Sequence, residues 1–166
     1  MNIQVAGFLD NSLVNGEGLR AVLFVSGCSS NCPGCHNKKM QNYNYGEKLD
    51  VKEIFKRIED NPIIRGVTFS GGEPFDQARG LCELTGLIRD KGLSLWSYSG
   101  YTFEEILNSG DKSKIDLLKF IDVLVDGPFK QELTDGAPKY AGSKNQRIID
   151  VKESLKRGEI VLNRHD

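Results

Sequence analysis

The chain has 166 residues, 39% of them apolar and 27% charged, which is material for one hydrophobic core and too little bias for a disordered chain. Lys plus Arg (22) nearly cancels Asp plus Glu (23), so the broad basic footprint of a nucleic-acid binder or an anionic-membrane binder is missing. The opening MNIQVAGFLDNSLVNGEG lacks the basic start and apolar run of a signal peptide, and no segment approaches the roughly 18 apolar residues of a membrane span. A single cytoplasmic domain over residues 1–166, with neither nucleic-acid nor membrane partners, is expected. A closed eight-unit β/α barrel takes about 250 residues, so any β/α pattern here must stop short of closure.

In chain order, Ile3 to Leu9 is weakly patterned, and Ala21 to Val25 (AVLFV) is a wholly apolar run suited to a strand buried on both faces. It ends at Ser26-Gly27. Val51, Ile54, Phe55 and Ile58 then recur at helical spacing, with Asp50 placed to cap the helix and Glu53 three residues later. A strand over Gly66 to Ser70, a helix through Leu81 to Arg89 and a strand over Leu93 to Tyr98 follow. Thr102 and Glu105 open a further helix as a capping box, and Gly110 closes it. A helical stretch near Ile115 to Phe120 leads into the strand IDVLV, and two strands, near Arg147 to Val151 and Glu159 to Leu162, finish the chain. The stretch from Phe129 to Asn145 is polar and irregular, the composition of a surface loop. Strands alternating with helices through short connections predict βαβ units and a mainly parallel sheet.

Parallel sheets place ligands at the carboxyl ends of their strands. After the first strand comes CSSNCPGC, after the second Gly71-Gly72-Glu73-Pro74, after the third Ser97-Tyr98-Ser99-Gly100-Tyr101, and after IDVLV comes Asp126-Gly127-Pro128. Cys28, Cys32 and Cys35 form C-x3-C-x2-C on one loop. Three thiolates can wrap a compact cluster while leaving one metal position without a protein ligand. A structural zinc site closes with four ligands, commonly in two separated pairs, and no second pair exists here. His36 adjoins Cys35 too closely to chelate the same ion without strain, and His165 is in the tail. An iron–sulfur cluster with an open iron is the favoured reading, with zinc or unligated thiols as the alternatives. Cys82 lies at helical spacing among Leu81, Leu84 and Ile88 and reads as a buried thiol packed as a small hydrophobe. Gly71 and Gly72 let a ligand approach the backbone closely, and Glu73 offers an acceptor for an amino group. Trp96 and Tyr98 read as buried strand residues, and Asp126 reads equally well as a turn former.

The combination of CSSNCPGC with SGGEP resembles the radical S-adenosylmethionine enzymes. More narrowly, VNGEGLRAVLFVSGC, CPGCHN, WSYSGYTFEEIL, DVLVDGPF and GSKNQR resemble the activating enzymes of anaerobic ribonucleotide reductase, over about Val14 to Val151. Most of the superfamily has an aromatic residue just before the last cysteine, where this chain, like the narrower family, has Gly34. The resemblance implies a [4Fe-4S] cluster on Cys28, Cys32 and Cys35, with S-adenosylmethionine on its open iron. Gly34, Cys35 and His36 would lie along that molecule, and Gly71, Gly72 and Glu73 would take its amino end. Ser97, Ser99 and Asp126 are candidates for its carboxylate or ribose. It further implies a 5′-deoxyadenosyl radical, a glycyl radical installed on the partner reductase, and a reduced electron donor such as flavodoxin. The fold it implies is a partial, laterally open (β/α) TIM-like barrel of about five or six mainly parallel strands. Arg20, Asn145, Gln146 and Arg147 match the narrower pattern without a physical role that the sequence reveals.

Overall fold

The computed structural model describes residues 1–29, 32–35 and 38–163. β1 spans Asn2–Ser12, β2 Arg20–Val25 and β3 Glu47–Asp50, followed by α1 Val51–Glu59, β4 Gly66–Gly71, α2 Ala78–Asp90 and β5 Ser94–Ser99. α3 covers Phe103–Leu107, α4 Lys112–Phe120, β6 Val123–Asp126, β7 Arg147–Asp150 and α5 Val151–Arg157. The strands form one sheet in the order β3-β1-β2-β4-β5-β6-β7.

Among the described residues this is a mixed α/β fold with seven strands rather than five or six. Only the central pairs β2–β4, β4–β5 and β5–β6 are parallel, whereas β1 runs antiparallel to β2 and β3, and β7 antiparallel to β6. The reason is connectivity, because parallel neighbours need a crossover that packs on the sheet. Residues 13–19 are too short for one, and the long connection from β6 to β7 holds only a 3-10 turn at Gln131–Leu133. β3 and β7 stand at the two ends of the order and are not paired with each other.

Asp50 caps α1 by accepting from Lys52 N, and Thr102 with Glu105 forms the capping box of α3. α3 stops at Leu107, ahead of Gly110, which instead lies in the turn before α4. The expected strand at Glu159 to Leu162 is reduced to one bridge between Leu162 and Ile149. Asp150 caps α5, and Gly158 ends it in the left-handed region, so the helix takes up the chain that a longer strand would need.

The register Leu23, Phe69, Ser97, Leu124, Ile149 runs across one face of the sheet. The main core lies there, against Ile54 and Ile58 of α1, Leu81, Leu84 and Ile88 of α2 and Leu117 and Leu118 of α4. Cys82 packs at its margin with its thiol pushed up to about 11 by burial, as expected of a small hydrophobe. The other face carries Trp96, Val123, Val125 and Ile148, covered by Tyr98, Tyr140 and Ala141.

Arg20, at the start of β2, is only 1% exposed. Its Nε donates to Thr68 Oγ1 (2.8 Å), Nη1 to Glu17 O and Ser94 Oγ (both 2.9 Å), and Nη2 to Val67 O (3.0 Å) and Ser94 O (2.9 Å). Each N–H of the guanidinium fork therefore has an acceptor, and β2, β4 and β5 are tied together at one end. Gly66 has no Cβ because one would strike this guanidinium. Burial pulls Arg20 down to about 10, so it stays charged at neutral pH. Arg20→Lys keeps the charge but supplies three donors instead of five, and is expected to lower stability by about 3 kcal/mol. A drop in the urea midpoint checks this, and an unchanged midpoint would show the fork to be dispensable.

Candidate active site

Because β2, β4 and β5 run parallel, the loops that follow them emerge at one end of the sheet. The loop after β2 is pinned from behind, with Gly27 N donating to Met40 O (2.6 Å) and Cys28 N to Gln41 O (3.1 Å). Cys35 N donates to Cys32 O (3.2 Å), closing a turn through Pro33 and Gly34. Gly34 has φ +72°, and proline followed by a positive-φ glycine is the composition of a type II turn. Asp76 braces the same loop by accepting from Tyr101 (2.7 Å), Tyr43 (3.1 Å) and Ser29 (3.3 Å) hydroxyls.

The turn after β4 lies directly on this loop. Gly72 N donates to Val25 O (2.8 Å) and Glu73 N to Gly27 O (2.7 Å). Glu73 is fully buried. Its Oε1 accepts from Gly100 N (2.7 Å), and Oε2 from Ser99 Oγ (2.9 Å) and Phe75 N (3.0 Å). Burial raises the carboxyl to about 7 against the opposing pull of these three donors.

Cys28, Cys32, Cys35, Gly71, Gly72, Glu73 and Ser99 line one cavity of about 390 Å³. Its other wall comes from residues 127–146: Gly127, Phe129, Tyr140, Ala141, Gly142 and Gln146. Three larger clefts, of about 500, 620 and 740 Å³, have no cysteine among their described lining residues, so size alone does not mark the site. Among the described residues no group of three or more His, Cys, Asp or Glu converges tightly enough for a single metal ion. Three thiols around one cavity fit a cluster by the chemistry of their donors.

Other expected site residues are placed differently. Ser97 is fully buried, donates to Tyr98 O (3.1 Å) and is not part of the cavity wall. Asp126 accepts from Phe103 N (2.8 Å) and receives both Nε and Nη2 of Arg147 (3.1 and 2.6 Å). It therefore anchors α3 and β7, and these contacts push Arg147 up. Asn145 donates to Pro128 O and Gln146 to Gly127 O, which closes the neck of the loop between β6 and β7. His36 lies outside the described residues. Trp96 is buried as expected, but Tyr98 lines the cavity and donates its hydroxyl to Tyr140 O. Phe129 and Tyr140 were hidden in a stretch that reads as a solvated loop, and the signal available was two aromatics in otherwise polar sequence.

A mixed α/β protein with three cysteines and a Gly-Gly-Glu turn around one cavity, at the carboxyl ends of parallel strands, is by class a candidate cluster-bearing enzyme. Residues 14–149 match the family described as 4Fe-4S single cluster domain. The chain is 38% identical over 152 residues to the anaerobic ribonucleoside-triphosphate reductase-activating protein of Pasteurella multocida, covering 85% of this chain and 93% of the relative. Identity to the protein of the same name from Escherichia coli (strain K12) is 39% over 144 residues, or 82% and 91% of the two chains. For that of Enterobacteria phage T4 it is 34%, over 81% and 86%. The chain belongs to the family of anaerobic ribonucleoside-triphosphate reductase-activating proteins.

A Cβ at position 72 would press into the carbonyl oxygens of Gly27 and Met40. Gly72→Ala is therefore expected to cost about 1–3 kcal/mol and to lower iron bound after anaerobic reconstitution; wild-type iron content would show that the seam tolerates the methyl group. Since the folded-state carboxyl of Glu73 is raised to about 7, the folded protein holds a proton there that the unfolded chain has already released. Its stabilising contribution is full below the unfolded value near 4.3 and is lost as pH rises through 7. Thermal melts of the cluster-free protein should show Glu73→Gln gaining on wild type between pH 5 and 8, and a constant difference would contradict the shift.

Proposed function

We propose that this chain is a radical S-adenosylmethionine activating enzyme that installs a glycyl radical on an anaerobic ribonucleotide reductase. The observation that carries the reading is the meeting of Cys28, Cys32 and Cys35 with the Gly71-Gly72-Glu73 turn around one cavity. When bound, the [4Fe-4S] cluster would supply the electron for reductive cleavage of S-adenosylmethionine, the source of the radical chemistry that would act on a glycine of the reductase.

The chain's own residues bind and orient. Cys28, Cys32 and Cys35 are the thiolate ligands. Gly72 brings bare backbone to the cavity, and Glu73 accepts from the amino group of S-adenosylmethionine, its carboxylate aimed by Ser99 and Gly100. Gly34, Cys35 and His36 border the bound molecule from the cysteine side. The wall from residues 127–146 bounds the other side of the cavity, where a reactive radical needs water excluded. Residues 1–166 act as one domain, a partial barrel opened along one side, in the cytoplasm, where thiols stay reduced. A reduced donor such as flavodoxin supplies the electron, and no nucleic acid takes part.

Reconstituted anaerobically with iron and sulfide and reduced with dithionite, the protein is expected to form 5′-deoxyadenosine from S-adenosylmethionine. With a purified anaerobic ribonucleotide reductase it should give the electron paramagnetic resonance doublet of a glycyl radical. Cys32→Ala should lose cluster and product together. Cleavage without a glycyl signal would point to another radical enzyme, and absence of cleavage by the loaded wild type would overturn the reading.

A further inference from the structure

We propose that Asp76 sets the reduction potential of the cluster from outside the site, as a carboxylate whose negative charge makes the bound cluster harder to reduce and its electron more reducing. The inference rests on the cluster reading above and concerns how this chain controls that cluster. Glu73 caps the 3-10 turn Pro74–Gln77, and Asp76 lies within it, its N–H donating to Glu73 O (3.1 Å). The two carboxylates nevertheless face different spaces. Glu73 lines the cavity with the cysteines, whereas Asp76 lines a separate cleft with Ser29, Tyr43, Tyr101 and Lys114. Cys28 borders the first space and Ser29, the next residue, borders the second, so the cysteine loop runs between them.

The Asp76 side chain is only 11% exposed. Its Oδ1 accepts from the Tyr101 hydroxyl (2.7 Å), and its Oδ2 from the hydroxyls of Tyr43 (3.1 Å) and Ser29 (3.3 Å). All three donors are neutral, since burial first and the Asp76 carboxylate next push both tyrosines up to about 12. Its ion-pair partner is Lys114, whose Nζ stands 4.0 Å from Oδ1 and 4.5 Å from the centre of the Tyr101 ring. That separation is too long for a hydrogen bond, so the charge is offset only loosely. Tyr43 carries the carboxylate to the ligand loop: its ring fills the space a Cβ on Gly27 would need, and its hydroxyl feels Cys28 as well as Asp76. The charge also reaches the cavity, where it adds to the upward push on Glu73. Because Ser29 adjoins Cys28, bond lengths alone put the Asp76 carboxylate within roughly 12 Å of the Cys28 sulfur. Adding an electron beside a fixed anion costs more than beside a neutral group, and local charge is one of the levers on cluster potential.

The test is a redox titration of the anaerobically reconstituted protein without S-adenosylmethionine, followed by the electron paramagnetic resonance of the reduced cluster, with iron content determined on each sample. Asp76→Asn keeps the shape and can still meet the hydroxyls, but removes the charge. At a fixed poise its ratio of reduced to oxidised cluster is expected to rise roughly tenfold, the scale of one unit charge at about 10 Å and an effective dielectric near 20. For a one-electron couple that is a positive shift of about 59 mV, with iron unchanged. Lys114→Gln, which leaves the carboxylate without its cation, should shift the ratio the other way. An unchanged potential in Asp76→Asn overturns the proposal, as does a shift of the same sign in both variants. Should Asp76→Asn hold no cluster, Lys114→Gln decides, and a potential equal to that of wild type then overturns the proposal. Failure of the wild type to take up iron and sulfide is a separate result, which overturns the cluster reading itself.

Discussion

The hydrogen bonds from Gly72 N to Val25 O and from Glu73 N to Gly27 O lay the backbone of one loop on the backbone of another, and everything at the site hangs from that contact. Backbone can meet backbone this closely only where no side chain intervenes. Gly72 satisfies this condition against the carbonyls of Gly27 and Met40, and Gly27, with φ +95°, satisfies it beneath the ring of Tyr43. Since β2 and β4 are already fixed in parallel register, the seam extends the order of the sheet into the loop that carries Cys28. Asp76, with its three hydroxyl donors, braces the neighbourhood of Ser29 and Tyr43 from outside.

Two buried carboxylates near that end of the sheet illustrate different uses of charge. Asp126 receives the fork of Arg147 and the first N–H of α3, so its charge is compensated and the contact fixes where the β6 end meets its neighbours. Glu73 is buried to the same degree but is met by three neutral donors. Burial without a cation raises its carboxyl toward 7, an arrangement that costs stability wherever the charged form is required. The difference in partners separates the two roles, since neither exposure nor sequence position does.

Much of this was legible in the sequence because it depended on local rules. The capping box at Thr102 and Glu105, the Asp50 cap and the apolar spacing of α1 and α2 are decided within a few residues, and each appears where it was expected. The cysteine spacing and the Gly-Gly-Glu turn were legible for the same reason. The antiparallel flanks were not. β1 and β3 pair through residues far apart in sequence, and β3 is only four residues long with two exposed positions. Its alternation is too brief to read. Arg20 matched the narrower pattern without a physical role, because its acceptors at Thr68 and Ser94 are brought to it only by parallel pairing. The wall at Phe129 and Tyr140 was missed because its aromatic residues follow neither a helical nor a strand period, and only the tertiary fold sets them at the cavity.

The two faces of the sheet are built to different standards, and this bears on how the cavity works. On the helical face, ranks of fully buried Leu, Ile and Phe hold α1, α2 and α4 against the strands, and loss of any one leaves a cavity costing about 2–5 kcal/mol. On the other face the cover is a loop, whose contacts include the edge-on pair of Tyr140 and Trp96, the Tyr98 hydroxyl and the amide bonds at its own neck. Tyr140 takes φ +76° there, a conformation a side-chain-bearing residue adopts at some cost. The stable face fixes the positions of Cys28, Gly72 and Glu73 through the strands they follow. The other face supplies the remaining wall of the cavity, so the two sides of one site rest on different kinds of packing.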